Sequence, residues 1–156
     1  MRRKDREIVD YKKILEIVNA CDCCRIGLVD REGAYIVPLN FGYENQNGTL
    51  ILYFHGAGEG RKIDLIREGK HASFEMDTNH KLIEKDSGCA YSYLFQSVMG
   101  RGRIELLQDS DEKIHGLKRV MEHYSDKTEW TFPEKMVNGT AVIKLTVTEL
   151  SCKEHK

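Results

Sequence analysis

Asn47-Gly48 stands between two strand-like stretches, and this dipeptide is the strongest short-range signal for a two-residue hairpin. Residues 34–43 read as a strand on one side, and residues 49–54 supply a run of aliphatic and aromatic residues on the other. A hairpin here commits the first half of the chain to antiparallel pairing. Asp30-Arg31-Glu32-Gly33 is a second turn signal, separating a strand at 25–29 from the one at 34–43. Further strands are expected at 71–76, at about 89–107 and at 137–150. Gly100 and Gly102 mark a bend or bulge in the longest of these. In the last, Val142, Lys144, Thr146 and Thr148 share one side, and Ala141, Ile143, Leu145 and Val147 the other.

Helices fill the gaps. Ile8, Tyr11, Ile14, Leu15 and Val18 recur at helical spacing, a short helix at 61–67 is stopped by Gly69, and Asp109-Ser110-Asp111 caps a helix running to about His123. The sum is about six strands and three helices in one domain over residues 1–156. There is no regular βαβ alternation, repeat or linker. The expected fold class is mainly β, an antiparallel barrel with peripheral helices.

The 156 residues carry a formal net charge of -1 with 40% hydrophobic and 31% charged residues. That balance gives no electrostatic case for nucleic acid or an anionic membrane as main partner. The basic start is followed by no apolar run, so neither a signal peptide nor a membrane anchor is expected. Five cysteines, three of them crowded into CDCC at 21–24, do not form a secreted disulfide framework and point to a reducing, cytoplasmic setting. Cys21 and Cys24 have C-x-x-C spacing, but no second ligand pair accompanies them, and packing at a strand start is the preferred reading.

Chemistry concentrates at 50–66. A strand runs into His55-Gly56-Ala57-Gly58-Glu59-Gly60, and a helix begins at once with Arg61 and Lys62. Glycines free the backbone to turn its amides outward, and the helix start adds its own unpaired N–H groups. Two cations at a helix N-terminus oppose the dipole unless an anion sits there. This is phosphate-site architecture, although a solvated glycine loop before a charged helix has the same sequence. It is not a Walker A loop, because Ile63 follows Lys62, and it is not a dinucleotide fingerprint.

These stretches also carry a resemblance. MRRKDREI at the start, YIVPLNFGY at 35–43, LYFHGA at 52–57 with GRKIDLI at 60–66, Phe74-Glu75, and Ser97-Val98-Met99-Gly100 cover most of the chain. In that order the chain resembles the nitroimidazole-resistance branch of the pyridoxamine-phosphate-oxidase-like split-barrel flavoproteins. The resemblance implies a split β-barrel holding FMN, with FAD also open. Val37, Pro38, Leu39 and Asn40 would run along the isoalloxazine, and Arg61 and Lys62 would hold the phosphate. Gln96, Ser97 and Val98 would approach the ring from its other side. His55 would lie near the flavin, as a candidate acid or orienting group. Trp130, in a loop, could cover a flavin or line a dimer interface, but core packing is at least as good a reading and it is left out of the site.

The resemblance further implies a homodimer with flavin at the interface, and a reductase moving electrons from NAD(P)H or another donor to a small electron-poor acceptor such as a nitroimidazole. A flavin- or haem-binding carrier, sensor or stress protein is the alternative. A true pyridoxamine-phosphate oxidase is disfavoured, because no second basic cluster exists for a substrate phosphate.

Overall fold

The computed structural model describes residues 3–156, so Met1 and Arg2 of the first resemblance block lie outside the described residues. One antiparallel sheet contains β1 (Glu7–Ile8), β2 (Cys24–Asp30), β3 (Gly33–Leu39), β4 (Phe41–Gln46), β5 (Thr49–Ala57), β6 (His71–Ile83), β7 (Ser92–Leu106) and β8 (Thr140–His155). Its order is β3-β2-β6-β7-β8-β5-β4, with β1 paired to β8. Four helices decorate it: α1 (Tyr11–Asn19), α2 (Arg61–Glu68), α3 (Ser110–Tyr124) and α4 (Glu134–Gly139). Among the described residues no helix is long and apolar enough to cross a membrane.

The expected strand at 34–43 is in fact two strands on opposite edges of the sheet. β3 and β4 are joined by Asn40 alone. Edges linked by a single residue must lie within a few ångströms of each other there. The sheet therefore curls into a barrel that is split between β3 and β4, which do not pair among the described residues. The pattern conceals this crossing because Val37, Leu39, Phe41 and Tyr43 all pack on one core, so the side-chain alternation passes through Asn40 unbroken. The hairpin signal holds: Asn47 and Gly48 both take positive φ, 52° and 87°, between β4 and β5.

The division at Asn40 and the added β1 raise the strands among the described residues from six to eight, and α4 raises the α-helices from three to four. The two-residue β1 is too short to leave a pattern. At the other end of the chain, the expected start of the last strand at 137 is helix α4, and β8 begins only at Thr140. Lys113, far away in sequence, donates to the carbonyls of Val137 at 3.3 Å and Thr140 at 3.0 Å. Such a cation stabilises a helix C-terminus, but nothing local announces it. The expected bulge is real, with the β7–β8 register slipping between Arg101 and Gly102.

The barrel interior is filled by Ile26, Leu52, Phe54, Met76, Val98 and Ile143 together with their neighbours, all of them buried. Cys21, Cys24 and Cys152 belong to this core. Burial pushes the Cys21 thiol up to about 12 and raises Cys24 as well, so neither is a thiolate at neutral pH. Among the described residues no group of cysteine, histidine and carboxylate side chains is placed to hold a metal.

Helix α3 covers the outer face of β4, β5 and β8. Asp109 caps it, accepting from Asp111 N and Glu112 N at 3.0 Å each. Its far end is clasped by His123, whose Nε2 sits 2.8 Å from the Cys21 carbonyl, and by Tyr124. The Tyr124 hydroxyl donates to the Asp22 carbonyl at 2.7 Å and accepts from Phe41 N at 3.2 Å. His123 is thus a half-buried clasp.

Midway along α3, Glu44 of β4 accepts from Tyr53 at 2.6 Å and Gln46 at 2.7 Å, and meets His115 Nε2 at 2.9 Å. Burial pushes the Glu44 carboxyl up, but these hydrogen bonds outweigh it and hold the group below its ordinary range. A folded-state pKa below the unfolded one means stability that is present above about pH 4.3 and lost as pH falls through the folded value. Glu44→Gln is expected to cost about 1 kcal/mol at pH 7 and to flatten the acid limb of a pH–stability curve measured by urea unfolding. An unchanged acid limb would remove Glu44 from that role.

Candidate functional site

The split in the barrel gathers most of the residues singled out by sequence. Phe41 of β4 pairs with Phe54 of β5, so Asn40 stands next in register opposite His55. Val37 and Leu39 turn their side chains to the core, while Pro38 and Asn40 are exposed. β3 is an edge strand bonded only to β2, which leaves backbone groups along its other side open to a ligand.

His55 pairs with Val142, and Val142 packs under α3, so ladder alternation places the exposed His55 ring on the α3 side. Gly56 faces the other way. There the Lys62 side chain reaches back across the strand, its Nζ lying 2.6 Å from where a Cβ on Gly56 would be. The absent side chain of Gly56 leaves the ammonium its present position close over the strand. Among the described residues Lys62 has no acidic partner.

Helix α2 begins from Gly60 at φ 112°, and no side chain caps it. The amides of Arg61 and Lys62 therefore have no partner within the helix, whereas those of Ile63 and Asp64 bond the Gly60 carbonyl. Arg61 is held differently. Its guanidinium donates to the Asp30 carboxylate, with Nε at 2.7 Å, and lies over the Tyr35 ring at 4.9 Å. Arg61 holds the Asp30 carboxyl below its ordinary range, with the Arg31 backbone N–H adding to the effect. Sequence reading did not single out Asp30 or Tyr35, since a turn residue and an alternating strand residue carry no such mark.

The third group lies apart. β2 and β6 separate β3 from β7, so Gln96, Ser97 and Val98 lie three strands away from the β3 residues along the sheet. Val98 is fully buried in the core, and Gln96 bonds Asn79 and Glu154. Ser97, paired with Asp77 and Lys153, points to the outer face. One subunit thus assembles β3, β5 and α2, but not β7, around the split.

The family model for pyridoxamine 5'-phosphate oxidase matches residues 10–154. The chain belongs to this family. A family structure from Bacteroides thetaiotaomicron, provisionally described as a 5-nitroimidazole antibiotic resistance protein, is 34% identical with a TM-score of 0.82, over 95% of this chain and 86% of that one. The flavocytochrome Anf3 of Azotobacter vinelandii is 23% identical, TM-score 0.84, covering 100% of this chain and 72% of that one. A FAD and heme binding protein of Mycobacterium smegmatis is 15% identical, TM-score 0.79, covering 97% and 74%. These last two share the fold. No curated protein matches the chain.

Proposed function

We propose that this member of the pyridoxamine 5'-phosphate oxidase family binds a flavin at the barrel split and passes its electrons to a small electron-poor acceptor, a nitroaromatic among them. The observation that carries the reading is the uncommitted Lys62 cation, laid over Gly56 beside an uncapped helix start. A phosphate fits that chemistry, because a helix start with free amides and an ammonium without an acidic partner among the described residues both favour an anion.

A bound flavin supplies the redox chemistry, and the chain's residues bind and orient it. Lys62 and the α2 amides hold the phosphate. The open backbone edge of β3 bonds the ring's pyrimidine side, and Pro38, lacking an N–H, leaves one donor out of that row. His55, exposed and next in register to Asn40, would act as the acid or orienting group toward the acceptor. Ser97 comes from a second copy of the chain, which buries the exposed Val29, Ile36 and Met99 of the outer face and completes the site.

The second reading is a carrier without turnover, and the FAD and heme binding relative favours it. An anaerobic assay of flavin-loaded protein separates the two. Oxidation of NADH or NADPH that requires the nitroaromatic is expected, and consumption of neither leaves a binder. A protein that takes up no flavin, by visible absorption, removes both readings.

A further inference from the structure

The last turn of α3 places His123 between the loop before β2 and the first residues of β4. Its ring packs against Phe41, Tyr124 and Tyr43, with centroids 4.3, 4.6 and 5.9 Å away. Nε2 lies 2.8 Å from the Cys21 carbonyl, which can only accept, so the neutral ring carries its proton there. Nδ1 is then a bare lone pair, buried and without a partner among the described residues. The next residue, Tyr124, holds the Phe41 amide at 3.2 Å, directly after the Asn40 crossing. We propose that His123 is an acid-sensitive latch, closing the β4 side of the barrel split when neutral and releasing it when protonated. The latch is independent of the flavin reading, and any ligand held at the split is loosened with it.

A second proton on the ring has to go to Nδ1. That sets a charged N–H among three aromatic rings with no acceptor to receive it, and a buried, unpaired charge is costly. Asp22, in the same loop as Cys21, favours the cation, and so do the Cys21 carbonyl and the faces of the rings. Burial outweighs them and holds His123 below its ordinary range. Swinging into solvent hydrates the imidazolium instead. A folded-state pKa below the unfolded one gives stability that is whole above about pH 6.5 and is lost as pH falls below it.

The other groups packed here do not act in that direction. His115 meets the Glu44 carboxylate, so its protonation strengthens the seat of α3. Glu44 itself is held below the ordinary carboxylate range. Arg119, one turn before His123, pairs with Glu122 at 2.8 Å and stays charged. Burial pushes up both the Tyr43 hydroxyl, which donates to Asn19 at 3.2 Å, and the Cys21 thiol, so both stay neutral. His123 is left as the group whose protonation opposes this packing.

Hydrogen exchange of the Phe41 amide, corrected for the intrinsic dependence of exchange on pH, tests the latch. Between about pH 7.5 and about pH 5.5 its protection is expected to fall about ten-fold, the most that one proton allows over the unit below 6.5. His123→Gln keeps a donor for the Cys21 carbonyl but does not titrate, and its Phe41 protection is expected to stay constant over that range. A constant wild-type value, or the same fall in His123→Gln, overturns the latch. Nitrogen NMR of the wild-type ring decides the question even where the variant folds poorly. An Nε2–H tautomer at neutral pH that titrates below about 6.5 is expected. An Nδ1–H tautomer, or titration at or above that value, overturns the latch as well.

Discussion

Gly42→Ala unseats helix α3 and costs about 3 kcal/mol, the upper end of ordinary overpacking penalties. A Cβ on Gly42 would fall 2.1 Å from the Arg119 carbonyl carbon and 2.3 Å from both Arg119 O and Val120 N. All three are backbone atoms, so no flexible side chain can yield. The helix would have to lift by more than an ångström, and its other attachments resist that. Gly116 sits against Tyr53 and Val142, where an added Cβ would meet each at 2.9 Å. Val120 is buried, and His123 and Tyr124 are bonded to Cys21, Asp22 and Phe41. The cost should appear as a fall in Tm of roughly 6–12 °C for a chain of this size. Gly88→Ala, with no atom within 4 Å of the added Cβ, serves as the control and should stay near wild type. A Gly42→Ala protein melting within 2 °C of wild type would show that α3 does not rest on β4 in solution. The effect should also reach the split, because Tyr124 of α3 holds the first amide of β4 directly after Asn40.

How much of this was legible beforehand depends on whether the cause was local. The Asn47-Gly48 turn, the Asp109 cap and the bulge at Gly102 each write their requirement into adjacent residues, and each appears where the sequence placed it. The crossing at Asn40 does not. Its signature is which strand β3 and β4 each pair with, and the apolar alternation is identical with or without it. Helix α4 depends on a lysine on another helix. At the site, glycines followed by Arg61 and Lys62 suggested an anion, and Asn40 stands next in register to His55 while Arg61 reaches Asp30 and Tyr35 beside the split. Asp30 was invisible as the partner that divides the two cations, because ion pairing across two elements leaves no spacing rule. Ser97 belongs to a face that one chain alone does not bring to the split.

That division between the cations sets the largest functional effect. Lys62→Glu is expected to abolish flavin retention through gel filtration while leaving the unliganded fold slightly more stable. Removing a charge-assisted hydrogen bond costs about 1.5–3 kcal/mol, or roughly ten- to a hundred-fold in affinity, so Lys62→Ala alone should weaken binding by that much. Reversing the charge adds repulsion against the phosphate and carries the loss beyond a hundred-fold. Stability moves the opposite way. A carboxylate in the first turn of α2 complements the helix dipole, worth about 0.3–1 kcal/mol, whereas Lys62 opposes it. The ammonium makes no ion pair among the described residues, so the fold loses nothing in exchange. Arg61→Ala behaves differently, because it leaves the largely covered Asp30 without its partner and should therefore lower stability together with affinity. Opposite signs of stability and binding in Lys62→Glu, and equal signs in Arg61→Ala, mark Lys62 as the residue kept for a ligand. If Lys62→Glu retains flavin as wild type does, the phosphate lies elsewhere and the helix start has no part in holding it.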